Sequence, residues 1–170
     1  ILTPYRQKAE KLNANGLACL QTQEKYFRAK ISGKIKIHAL PVPETLTLKK
    51  GAKVMFVRNN NPLWVNGTLG VVEDIFRDEI VVNKDGELYN VEPEVWEQYQ
   101  YAYDEEKGQL KKHVIGTFTQ IPLILAWAIT IHKSQGSTIS SVHIDLDKGS
   151  FDHGQTYVAL SRTEQIADIS

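Results

Sequence analysis

The chain holds one cysteine, one methionine and no surplus of either charge, with 20 Lys+Arg against 20 Asp+Glu in 170 residues. The lone Cys19 excludes an internal disulfide and fits a reducing compartment. Charge balance argues against a protein that works through global attraction to polyanions, leaving only a local basic stripe open. No apolar run reaches the ~18 residues that would span a membrane as a helix. The opening residues Ile1-Leu2-Thr3-Pro4 do not read as a signal peptide. There is no initiator Met, and Ile1-Leu2 already reads as the end of an apolar strand, so a piece of a larger protein is expected. The phosphate-loop pattern G-x-x-x-x-G-K-[ST] is also missing: Gly33-Lys34 is followed by Ile35, with no glycine upstream at the required distance. Repeats and low-complexity tracts are absent.

What remains is ordinary globular composition, 42% apolar and 24% charged. Residues 5–20 read as a helix, with Pro4 tolerated at its first turn and Gly16 as a possible early stop. Residues 25–38 alternate basic and apolar, a solvated strand-like face before it is a nucleic-acid stripe. From residue 48 to about 118 short strands alternate with turn signals, including Lys84-Asp85-Gly86 between Ile80-Val81-Val82 and Leu88-Tyr89-Asn90-Val91, an Asp-Gly hairpin. Tyr99, Tyr101 and Tyr103 share one strand face, most simply as cross-strand packing, before a turn over 104–108. This density of short strands suggests a small barrel. The run 122–131 is apolar and continuous, 141–146 reads as a buried strand, and 154–162 as a short helix. Strand–helix alternation at both ends with a barrel between predicts an α/β domain carrying an insertion.

Two segments concentrate polar chemistry. Thr130-Ile131-His132-Lys133-Ser134-Gln135-Gly136-Ser137-Thr138 follows the apolar run, and its glycine permits close backbone approach. Such a segment suits contact with a phosphate or sugar, or simply caps a helix with its hydroxyls. In Gln155-Thr156-Tyr157-Val158-Ala159-Leu160-Ser161-Arg162-Thr163, the arginine ends an apolar helical stretch. It can fork onto a phosphate, or sit on the surface where the helix dipole favours a cation.

These residues carry a resemblance. Ala126 to Gly136 resembles motif V, and Gly154 to Thr163 motif VI, of superfamily 1B DNA helicases of the RecD-like and petite-integration-frequency type. Ile1-Leu2-Thr3-Pro4-Tyr5-Arg6 resembles their motif IV. Leu48 to Met55, then Val65-Asn66-Gly67-Thr68-Leu69-Gly70, resembles the inserted Src-homology-3-like barrel. The resemblance implies a second RecA-like, P-loop NTPase-type motor domain with no phosphate loop of its own. That domain is expected at 1–48 and 119–170, with the inserted barrel at 49–118. It implies the C-terminal part of an ATP-dependent 5'-to-3' DNA helicase with roles in repair and recombination. ATP and Mg²⁺ would be bound mainly by a first RecA-like domain of the same parent. This chain would supply Arg162 as the arginine finger, with Gln135, Gly136 and Arg6 also at the nucleotide. Thr130, His132, Lys133 and Ser134 would face single-stranded DNA, and Asn66 and Trp64 of the barrel would help at duplex junctions. No metal site and no membrane are expected. The implied location is the cytoplasm of a bacterium, or the nucleus or mitochondrion of a eukaryote. By itself the chain should neither hydrolyse ATP nor unwind DNA.

Two rivals come from other classes. His143, Asp145 and Asp147 alternate on one strand, with Asp152 and His153 close behind, a pattern a metal-dependent nuclease could use. The other is a non-enzymatic barrel module that binds nucleic acid or protein.

Overall fold

The computed structural model describes residues 1–36, 40–77, 79–104, 109–139, 141–147, 149, 154–163 and 165–170. It is strand-rich, with two α-helices among the described residues. The two ends of the chain meet in a small parallel sheet. Strand β1 (Leu2–Thr3) pairs with β12 (Ile129–Thr130) in the register Leu2↔Ile129 and Thr3↔Thr130. On its other side Leu2 donates to the His143 carbonyl and accepts from the Asp145 amide, both at 2.8 Å. Val142 and Ile169 extend the ladder, also in parallel. The expected strand at 141–146 therefore exists as single bridges, with Val142 buried and His143 exposed.

Helix α1 (Arg6–Cys19) follows β1 directly and runs through Gly16, so the early stop read from that glycine does not occur. Packing supplies the reason. A Cβ at residue 16 would lie 2.5 Å from the Trp127 indole, so the glycine lets the ring rest against the helix. Trp127 is half-buried against the core and is no free stacking platform.

The basic stretch splits between sheets. Strand β2 (Lys25–Arg28) pairs with β4 (Thr45–Leu48), and β3 (Lys30–Gly33) pairs with β10 (Gln109–Gln120). Its exposed side chains are a solvated face, and Ile37 and His38 lie outside the described residues. Strands β5 (Lys53–Phe56), β6 (Leu69–Ile75), β7 (Ile80–Lys84) and β8 (Glu87–Val91) form an antiparallel sheet. The Asp85-Gly86 turn takes φ of 53° and 92°, the left-handed pair a tight hairpin demands. The run 122–131 is not one element: β11 (Leu123–Leu125) pairs antiparallel with β5, while β12 belongs to the parallel sheet. Strand pairing thus crosses both position 49 and position 119.

Two cores result. One joins Leu17, Leu46, Val54, Phe56, Val72 and Leu123, the other Leu2, Met55, Phe118, Ile129, Ile131 and Val142. Trp64 is 6% exposed and stacks on Phe56 with 4.6 Å between centroids, so it is core and not a surface for strands. Strand β9 (Glu94–Asp104) and β10 make a long hairpin whose turn over 105–108 lies outside the described residues. Tyr101 faces Lys112 and Tyr103 faces Leu110 across it, yet both tyrosines stay 64% exposed. Cross-strand pairing is present there without burial.

Gly16→Ala should destabilise the fold even though alanine favours helix by about 1 kcal/mol. The collision with the Trp127 ring costs about 1–3 kcal/mol as overpacking. Chemical denaturation should show a lower midpoint, with much of the loss recovered in Gly16→Ala/Trp127→Leu.

Candidate functional site

Parallel sheets present ligands with the loops at their carboxyl edge, and here that edge gathers both polar segments. From β1 emerge Pro4, Tyr5 and Arg6; from β12 emerge a 3₁₀ turn (His132–Ser134) and then Gln135 to Thr138. The turn is closed from within. The Lys133 amide donates to Thr130 Oγ1 at 3.3 Å, and Ser134 Oγ donates to the Ile131 carbonyl at 2.8 Å. Ser134 is 0% exposed, so the expectation that it faces DNA is corrected: its hydroxyl is spent on its own turn. Gln135 is exposed, and Gly136, at φ of 80°, has open space where a side chain would be.

Helix α2 (Gln155–Leu160) delivers Arg162 to this segment. Its Nε donates to the Val158 carbonyl at 2.9 Å and its Nη2 to Ser161 Oγ at 2.9 Å. Its Nη1 donates to the carbonyls of Ser134 and Ser137, each at 3.3 Å. The Arg162 carbonyl in turn accepts from the Ile139 amide at 2.8 Å. The two polar segments are thus one hydrogen-bonded unit, with four of the five guanidinium N–H donors engaged by this chain.

The 65–68 loop joins the same unit. Gly67 has φ of 91°, and a Cβ there would fall 1.8 Å from Ser137 Oγ. Asn66 beside it is exposed, its amide donating to Asn59 Oδ1 at 2.6 Å.

Arg6 does not share its cleft with Gln135, Gly136 or Arg162. With Thr130, His132 and Lys133 it lines a cleft of about 1180 Å³ between α1, the β2–β4 pair and the 124–133 segment. Arg6 pairs with Glu10 at 2.8 Å. Burial holds the Lys133 ammonium below the usual lysine range, with the Arg6 guanidinium adding to the effect and Glu10 opposing it.

The acidic cluster proposed for a metal is occupied by a lysine. Lys8 Nζ lies 2.7 Å from Asp145 and 3.5 Å from Asp147, and His143 Nδ1 contacts Ser170 Oγ at 3.2 Å. The Lys8 hydrogen bond holds the Asp145 carboxyl below its ordinary range, the behaviour of a paired carboxylate. Among the described residues no group of three His, Cys, Asp or Glu could hold a metal ion. Asp152 and His153 lie outside the described residues.

The family described as DNA helicase Pif1, 2B domain, matches residues 32–75, a stretch on both sides of position 49. The ATP-dependent DNA helicase Pif1 of Bdellovibrio bacteriovorus is 39% identical over 168 residues, covering 95% of this chain. The chain belongs to the Pif1 helicase family. It spans 36% of the Bdellovibrio protein's length. The structure of unliganded Pif1 from Bacteroides sp superposes with a TM-score of 0.89 at 35% identity, over 99% of this chain and 39% of that one. Bacteroides Pif1 in complex with ADP-AlF3 and ssDNA gives 0.79 at 35% identity, over 99% of this chain and 38% of that one.

Three residues that hold these segments in place are not evident from local sequence. Asn13 of α1 donates to the Ala128 carbonyl and accepts from its amide, both at 2.8 Å, and so holds the approach to Thr130. Gln120, 3% exposed, donates to the Phe27 and Glu44 carbonyls at 2.8 and 3.0 Å. An asparagine at mid-helix, where its propensity is poor, was the one available signal for Asn13. Nothing local marks Lys8 as the partner of Asp145.

Because the folded-state pKa of Asp145 is depressed, its contribution to stability is present above the unfolded carboxylate pKa and lost as pH falls through the folded value. Lys8→Met should raise the Asp145 pKa, leaving the Asp147 amide and His143 as the groups that still hold it down. A side-chain carboxyl titration by NMR reads this directly; an unmoved Asp145 would refute the assignment of its shift to Lys8.

Proposed function

We propose that this chain forms the second motor lobe of a Pif1-type ATP-dependent DNA helicase, coupling ATP hydrolysis to 5'-to-3' translocation on single-stranded DNA and unwinding at duplex junctions. The observation that carries the reading is the Arg162 clasp on Ser134 and Ser137, which joins the two motif-bearing segments at one sheet edge. Support for a parent of that activity comes from relatives named as ATP-dependent DNA helicases. The lobe comprises the segments at 1–48 and 119–170, with a barrel-like insertion between them. A first RecA-like lobe of the parent supplies the phosphate loop and the Mg²⁺ site.

In this reading Arg162 serves as the finger on the γ-phosphate, where a fixed guanidinium stabilises charge spread over the transferring group. Gln135 and Gly136 line the nucleotide side, and the open space at Gly136 suits close approach of a ligand to the backbone. To reach a phosphate the guanidinium gives up one or both serine carbonyls, so nucleotide binding and the conformation of residues 130–138 are linked through one side chain. Thr130, His132 and Lys133 face the DNA, and Asn66 approaches it from the 65–68 loop. Contacts of this kind read backbone and not sequence, as a motor requires. The separate chain should neither hydrolyse ATP nor unwind DNA.

Arg162→Ala in the full-length helicase should lower DNA-stimulated ATP turnover on the order of 10³-fold while retaining DNA binding. Arg162→Lys should rescue little, because a lysine cannot reproduce the fork. Turnover equal to the wild type in both variants would assign Arg162 to packing alone.

A further inference from the structure

The motif resemblance sends Arg6 to the nucleotide, but its position in the sheet does not. Thr3 and Thr130 are register partners in adjacent parallel strands. Arg6 and Lys133 each lie three residues beyond those partners, so both leave the same edge of the sheet side by side. Both line the cleft that also holds Thr130 and His132, whereas Gln135, Gly136 and Arg162 are not among its lining residues.

Charge at this spot is unbalanced. The two cations are close enough for Arg6 to act on Lys133, and Glu10 is the carboxylate acting on both. Arg6, Lys133 and Glu10 together carry a net positive charge; Glu24 and Glu44 also line the cleft, and Glu24 is paired with Lys49 at 3.5 Å. Arg6 keeps its side chain 83% exposed despite its pairing with Glu10, so its outer N–H donors are open to the cleft. A second anion placed between the two would satisfy those donors and relieve the repulsion between like charges.

We infer that Arg6 and Lys133 together form a phosphate grip for the single strand, and that Arg6 belongs to the DNA track and not to the nucleotide site. The inference rests on the helicase reading above. The ligand class is the phosphodiester backbone: one phosphate is held between a guanidinium from the first carboxyl-edge loop and an ammonium from the neighbouring one. The grip recognises charge and spacing alone. It is set on a 3₁₀ turn closed by its own hydrogen bonds on one side and on the first residue of α1 on the other.

The test uses the full-length helicase and a fluorescent oligothymidylate, with binding measured by anisotropy across a salt series and ATP KM measured at saturating DNA. Arg6→Gln and Lys133→Gln should each weaken binding about three- to tenfold and flatten the dependence of log K on log salt by about 0.7, the value of one single-strand phosphate contact. Arg6→Lys should keep the slope. The loss should appear in DNA affinity and its salt slope, not in KM for ATP. A raised ATP KM in Arg6→Gln with an unchanged salt slope would return Arg6 to the nucleotide and overturn the inference. Unchanged DNA and ATP parameters would leave Arg6 as a partner of Glu10 only, and would overturn it equally. If the wild-type protein failed to bind the oligothymidylate at all, the helicase reading itself would fall, which is a separate result.

Discussion

Leu2 and Thr3 lie in parallel register with Ile129 and Thr130, and Leu2 bonds on its other side to residues 143 and 145. Everything that gives this chain a functional edge depends on that pairing. It is made across almost the whole length of the chain, so the entropy of closing a very long loop must be met by the burial of Leu2, Ile129, Ile131 and Val142 in one core. All the strands that start there point the same way. Their carboxyl ends release Arg6, Lys133 and the Ser134–Ser137 segment onto one edge, where ligands of open parallel sheets are received.

Two amide side chains fix the connections that hydrophobic packing leaves undetermined. Asn13 grips both backbone groups of Ala128, 115 positions away, and so ends the β11 register and begins that of β12. Gln120 does the same for the Phe27 and Glu44 carbonyls. A buried backbone group without a partner costs about 1–3 kcal/mol, so these contacts choose between alternative paths more than they add net stability. Gly16 and Gly67 act by absence. Each removes a Cβ that would strike a neighbour, Trp127 in one case and Ser137 in the other.

Ser137 is where the parts converge. Its carbonyl receives Arg162, and its hydroxyl side is packed by Gly67 of the loop between β5 and β6. The loop and Arg162 therefore meet at one residue, Ser137.

Local chemistry was enough to read much of this from the residues alone. The Asp85-Gly86 hairpin, the helix from Arg6, the lack of a phosphate loop and the two polar segments each depend on a few neighbouring residues, whose turn and helix preferences act at short range. The family was legible for the same reason, since motif residues are contiguous. Tertiary structure decided what contiguous residues cannot. It split the apolar run 122–131 between two sheets, turned Ser134 inward, sank Trp64 into the core and gave Asp145 to Lys8. It also set Arg6 beside Lys133. Hydrophobicity fixes that such residues are buried or paired, but the identity of the partner is a property of strand register, which only the closed sheet supplies.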